Sequence, residues 1–316
     1  MNSELLNLEI FKPIYLFAYL LLCLFAYLYF APVILAEGTN LVTVSPQLVQ
    51  LDLSSDPSEA QYSYTNDTDQ TIELALTIQD VKELEDRGIP GLLDPNESKS
   101  YKYGLSSWAT FSNNDLVIAP GETKTVTVYI DKDRLTIGGH YASVLAEIRQ
   151  IDTKKTVKLR AILASHLFVR TGTGNEREEA KIVGFDALSE WLQFPSGFQF
   201  RLHNLGNVDV TPYGLITIFD SFGHKVTQSA VNEDSLITLP DSIRKYTVPI
   251  SSKHQNLIPG IYKAHIAIHY GKKNLKQKKE VTFFTLGSLN GAGIGAIILI
   301  IITFIVMIKL KKKQFE

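Results

Sequence analysis

The sequence has one cysteine, Cys23, among 316 residues, together with two methionines and two tryptophans. Cys23 falls in an apolar run near the amino terminus, so the stretch from Glu37 to Gly287 has no thiol. That stretch cannot rely on disulfides and must be held by its core alone. An excess of charge is missing as well: 31 Lys and Arg stand against 33 Asp and Glu, a net charge of −2. This argues against nucleic acid as the main partner, because no global basic field exists to attract it. Collagen-like, coiled-coil and low-complexity patterns are absent. With 45% hydrophobic and 20% charged residues the composition is that of a globular chain of about two domains.

Catalytic and metal-binding signatures are scarce too. There is no Gly-x-Ser-x-Gly, no His-Glu-x-x-His and no phosphate loop. His265 and His269 are four apart, a separation of about 13 Å along a strand and too wide for one ion. Ser242-Ile243-Arg244-Lys245 fits a Ser-x-x-Lys pattern but lies in an expected turn and strand without partner motifs. Asp131 and Asp133 fall short of the roughly six to eight oxygens that calcium takes. The expectation is a protein that is not an enzyme, with no cofactor, no metal site and no nucleic-acid partner.

What is present begins with two long apolar runs. Pro13 to Ala36 carries no charge and follows Lys12; residues 1–36 read as a signal peptide cut after Ala36, or an uncleaved anchor. Ser288 to Ile308 is also uncharged, and its 21 residues would reach about 32 Å as a helix, the thickness of a bilayer core. Lysines 309, 311, 312 and 313 follow, so 288–308 is expected to be a transmembrane helix and 309–316 a basic cytoplasmic tail. The expected location is the cell membrane, single-pass, with the preceding domains outside.

Between these runs the pattern is short and alternating, as in Thr71 to Ile78, Lys124 to Ile130 and Tyr262 to Ile268. Period two with β-branched and aromatic residues, broken by Gly, Pro, Asn and Asp, indicates half-buried strands and an all-β ectodomain of antiparallel sandwiches. Only Val81 to Asp86 reads as briefly helical. Landmarks recur in order: Tyr62 to Asn66 and Phe200 to Asn204, Leu116 to Pro120 and Leu236 to Pro240, Gly139-His140-Tyr141 and Gly260-Ile261-Tyr262. They divide the chain into two tandem immunoglobulin-like β-sandwiches, 37–172 and 180–287, joined by a linker at 173–179. The first copy is longer by an insertion at 81–104. Tyr141 and Tyr262 suit tyrosine corners, with the ring buried and the hydroxyl bonded back to the backbone.

The run Ser107-Trp108-Ala109 through Leu116, Pro120 to Val126 and Gly139-His140-Tyr141 resembles the immunoglobulin-like modules of bacterial surface proteins. The whole plan of signal, two sandwich modules, one helix and a lysine tail is similar to the WxL-interacting protein family. That resemblance implies a first module that binds peptidoglycan and a second that contacts other proteins. The expected function is therefore a membrane-anchored surface protein that adheres non-covalently to cell-envelope polymer or to another surface protein. The alternative is a non-catalytic subunit of a membrane assembly or of a transport or secretion complex.

Candidate binding residues are Tyr101 and Tyr103, whose rings could stack on sugars or anchor a protein partner, and the cluster Lys272, Lys273, Lys276, Lys278 and Lys279. The lysines have a second reading, as charge that keeps a turn and an edge strand from aggregating. Trp108 is expected in the sandwich core.

Overall fold

The computed structural model describes residues 42–84, 89–150, 161–172, 174–189, 192–250, 258–286, 299 and 302–305, which belong to one compact unit. It is all-β. The strands are β1 (Val42–Ser45), β2 (Leu48–Asp52), β3 (Glu59–Asn66), β4 (Ile72–Leu84), β5 (Ile89–Leu92), β6 (Ala109–Phe111), β7 (Asp115–Ile118), β8 (Thr123–Ile130), β9 (Gly139–Gln150) and β10 (Ala161–Arg170). They continue as β11 (Ala180–Leu188), β12 (Gly197–Asn204), β13 (Tyr213–Phe219), β14 (Lys225–Val231), β15 (Ile243–Pro249), β16 (Gly260–Tyr270) and β17 (Leu275–Thr285).

The first ten strands build two facing sheets, in the orders β1-β3-β8-β6 and β2-β10-β9-β4-β5, with β7 also paired to β4. Alternation explains the pairing. In β3 the side chains of Ala60, Tyr62 and Tyr64 point inward while Glu59 and Gln61 face solvent, the period-two pattern of a half-buried strand. Both sheets contribute to one core, with Tyr62, Val126 and Val128 from the first and Leu74, Ala142, Val144, Leu167 and Val169 from the second. Between Ser45 and Leu48 the chain crosses from one sheet to the other, so β1 runs antiparallel to β3 and β2 runs parallel to β10.

The last seven strands form a second pair of sheets, β11-β12-β15 and β14-β13-β16-β17, around a core that includes Phe198, Phe200, Ile216, Ile218, Tyr262 and Ile266. The repeated landmarks are wired alike in both halves. The buried Asn66 amide donates to the carbonyls of Gln70 (2.8 Å) and Ile118 (2.9 Å), and its oxygen accepts the N–H of Thr68 (3.0 Å). Asn204 does the same with Val208 (2.8 Å), Thr238 (3.0 Å) and the N–H of Gly206 (2.9 Å). Each asparagine closes a loop that would otherwise bury unmatched backbone carbonyls.

Three expectations need correction. Val81 to Leu84 continues strand β4 and pairs with β5 rather than forming helix; a single helical turn falls later, at Pro95–Ser98. Trp108 is half-buried at the rim, under the Arg134 guanidinium at 5.6 Å, and the core aromatics are Tyr62 and Tyr64 instead. The single-pass placement in a membrane is also corrected. Among the described residues no helix is long and apolar enough to cross a membrane. The expected helix 288–308 lies outside the described residues except at 299 and 302–305, as do 1–36 and 309–316.

Candidate functional site

The insertion does not form a free loop. Val81, Tyr103, Tyr141, Phe168 and Leu239 make a third buried cluster, in which residues of the first sandwich close on Leu239 of the second. The Tyr141 ring meets Phe168 edge-on at 5.0 Å and Tyr103 at 6.5 Å. Its hydroxyl donates to Asp209 Oδ1 (3.1 Å) and accepts the Asp209 backbone N–H (2.7 Å). Arg170, at the end of β10, grips the same carboxylate through Nε (3.1 Å) and a terminal nitrogen (2.9 Å), and adds the Asp209 carbonyl at 2.6 Å. Asp209 is 2% exposed and the Arg170 side chain 21%, so the pair is forked, charge-assisted and largely buried. Burial alone would lower the Arg170 pKa, but the hydrogen bonds and charge of Asp209 outweigh it and hold the guanidinium above its ordinary value.

Tyr262 carries the corner expected of it, donating to the carbonyl of Ile258 four residues upstream at 2.7 Å. Its counterpart Tyr141 is diverted across the junction to Asp209. Tyr103 is buried as well, with its hydroxyl on Asp241 Oδ2 (3.1 Å), while Tyr101 packs edge-on against it at 5.7 Å, half-buried. Lys272 and Lys273 sit on the turn between β16 and β17, and the Lys272 ammonium pairs with Asp52. Lys276, Lys278 and Lys279 lie along β17 and are exposed; Lys279 reaches the Val183 carbonyl at 3.2 Å. The Ser242 hydroxyl is shared between Glu83 across the junction and the Leu239 carbonyl three residues before it, which gives the Ser-x-x-Lys serine a structural role. His265 and His269 are ordinary strand residues beside Glu280 and Asn274.

A second feature was hidden from the sequence. Strand β2 starts at Leu48, opposite His166, so no strand among the described residues lies outside β10 between Ala161 and Ser165. The N–H of His166 donates to Gln47 at 2.8 Å, which identifies the even-numbered residues as those whose backbone faces away from β9. The N–H and C=O groups of Ile162 and Ala164 therefore point outward, with no strand beside them among the described residues. Ala161 and Leu163, on the inner face, are only partly buried against the first core, and Ile162 is 58% exposed.

Among the described residues Glu59 to Tyr62 of β3 and Thr123 to Val126 of β8 also lack a strand on one side, whereas the outermost strands of the sheets are blunted. Strands β1, β2, β5, β6 and β7 are five residues or fewer. Strands β11 and β14 carry irregular register at Ile182/Gly184 and opposite Ile218/Phe219. Strand β15 includes Arg244 and Lys245 and ends at Pro249, and β17 carries three lysines. Short length, bulges, proline and lysine are the devices by which edges avoid pairing.

No family model matches the chain, and no curated protein matches it. Solved structures do. The chain is similar to the YadV chaperone, with 11% identity and a TM-score of 0.40 over 77% of this chain and all of that one. It is also similar to the Escherichia coli chaperone DraB, with 11% identity and a TM-score of 0.37 over 76% of this chain and 95% of that one. A third likeness is to the CsuC–CsuE chaperone–tip adhesion subunit complex of Acinetobacter baumannii, with 9% identity and a TM-score of 0.36 over 65% and 88%.

The resemblance to the WxL-interacting protein family is corrected: no family model matches the chain. The expected function of a membrane-anchored protein adhering to cell wall is corrected with it, since among the described residues no helix is long and apolar enough to cross a membrane. Within the insertion, Val81 and Tyr103 are buried where the two sandwiches meet, with Tyr101 packed against them.

Proposed function

We propose that the chain is a non-catalytic binding protein of two tandem immunoglobulin-like sandwiches, which takes an extended segment of another polypeptide as an added strand on β10. The observation that carries this reading is the edge of β10 from Ala161 to Ser165, which has no strand beside it among the described residues and adjoins the partly covered Ala161 and Leu163. A strand added there would satisfy the outward backbone groups of Ile162 and Ala164. It would also lay alternate side chains over Ala161 and Leu163, where the first core is incompletely covered. The lysines of β17 act in the opposite sense and keep the second sandwich from pairing. The reading stands on this edge and not on the likeness to chaperones.

The test is photo-cross-linking in intact cells from benzoylphenylalanine at position 162, with position 225 at the far hairpin as control. A discrete polypeptide joined at 162 and not at 225, and lost when Ala164→Pro is added, is the expected result. Equal labelling from both positions, or labelling insensitive to Ala164→Pro, would overturn the reading.

A further inference from the structure

The two sandwiches present contrasting outer faces. On the sheet β1-β3-β8-β6 the outward residues are largely hydroxyls that bond across strands, Ser63 with Thr125 at 2.9 Å and Thr65 with Thr123 at 2.8 Å. That is an ordinary solvated face. On the sheet β14-β13-β16-β17 the even-numbered residues of β16 fill the core, so the odd-numbered ones face out. There Leu215 of β13 stands between Ala230 and Ala267, its cross-strand neighbours, which are too short to cover it; it is 43% exposed. Ring pairs bound it at both ends, Tyr213 stacked on His269 at 5.6 Å and Phe219 against His265 at 5.1 Å.

Cations flank this apolar centre. On β17, Lys276 lies opposite His269 and Lys278 opposite Ala267, and on β16 Lys263 lies beside Phe219. None of the three lysines closes an ion pair among the described residues. Glu280, on the same face, sits 3.4 Å from His265.

Exposed apolar surface beside unpaired cations calls for a partner with apolar groups and carboxylates side by side. A bilayer does not offer that arrangement, because its charge lies at a different depth from its apolar layer, whereas Leu215 and the lysines stand on one sheet face. An amphipathic helix laid along the strands does. Four residues of helix rise about 6 Å, close to the roughly 6.8 Å that separates alternate residues such as Lys276 and Lys278 on a strand. Acidic residues four apart would therefore meet both lysines while the helix's apolar stripe covered Leu215 and Ala267. The chain's own uncharged run 288–308 has no carboxylate and does not meet this description.

We infer that the outer face of β13, β16 and β17 docks an acidic amphipathic helix of another polypeptide. The inference is independent of strand addition at β10, which uses the first sandwich. It gives two of the candidate lysines, Lys276 and Lys278, a common face, whereas Lys272 pairs with Asp52 and Lys279 turns to the Val183 carbonyl.

The probe is a capped helical peptide of alanine and glutamine that carries a leucine stripe and, beside it, glutamates four apart, with a scrambled peptide of the same composition as control. Each is titrated into the full chain and binding is read by fluorescence anisotropy. The expected result is at least tenfold tighter binding of the helix than of the scrambled peptide, with a tenfold or greater loss in Leu215→Thr and in the double variant Lys276→Glu, Lys278→Glu. A peptide with lysine in place of glutamate should recover binding to the double variant. Lys181→Glu, on the other sheet of the same sandwich, and Ala164→Pro should bind as the parent does. Equal binding of the scrambled peptide, binding indifferent to Leu215→Thr and to the double variant, or no binding to the parent chain would overturn the inference. So would retention on phosphatidylglycerol vesicles through the same residues with no peptide bound, which would assign the face to lipid. Should the double variant fail to fold, Leu215→Thr, a β-branched replacement at an exposed strand position, decides alone.

Discussion

Asp209 shows how much one side chain holds. It accepts from the Tyr141 hydroxyl and from two nitrogens of Arg170 where the two sandwiches meet. Asp209→Ala would leave the Arg170 charge without its main partner, and breaking a buried pair from one side costs about 3–5 kcal/mol. Denaturant unfolding of the variant is expected to show a loss of that order, whereas changing an exposed residue such as Ile162 to Lys should stay within about 0.5 kcal/mol. Two carboxylates titrate in opposite senses. The Lys272 ammonium and Ser54 hold the Asp52 carboxyl at about 2, below its ordinary 3.8. Its stabilising contribution is therefore present above 3.8 and lost as pH falls through about 2. Burial raises the Glu83 pKa above its ordinary 4.5, against the opposing pull of Ser242 and Arg244. Its contribution is present below 4.5 and lost as pH rises through the raised value. In unfolding measured against pH the acid limb should shrink in Asp52→Asn, with Asp220 and Asp241 supplying the remainder, and the decline above pH 4.5 should shrink in Glu83→Gln.

At the scale of elements, strands were legible because alternation is a local property. Lys124 to Ile130 and Tyr262 to Ile268 fall within β8 and β16, and the paired landmarks lead to Asn66 and Asn204 with matching bonds. Val81 to Asp86 misled because Val-Lys-Glu-Leu has no alternation of its own. Val81 is buried by contacts with Tyr103, Tyr141 and the second sandwich, and β5 supplies the pairing. The open edge was illegible for a similar reason. Ala161 to Arg170 reads as one strand, and only the start of β2 at Leu48, more than a hundred residues earlier, decides which half has a neighbour. Nor does any local signal mark Glu83 and Arg244 as sharing a cavity; they meet only when the sandwiches dock.

For the whole molecule, the junction unites the two sandwiches into one surface. Aromatic packing of Tyr103, Tyr141 and Phe168 and the Arg170–Asp209 pair secure the end of β10 against the second sandwich, while its other end has no strand outside it among the described residues. An edge anchored in this way is preorganised, so a partner strand would not have to order it on binding. Amide hydrogen exchange of the isolated full chain tests that claim most directly. Along β10 the amides of Leu163 and Ser165, which face β9, should exchange slowly, and those of Ile162 and Ala164 should exchange fast. Equal protection at all four positions would mean that the edge is already occupied, and would contradict the account.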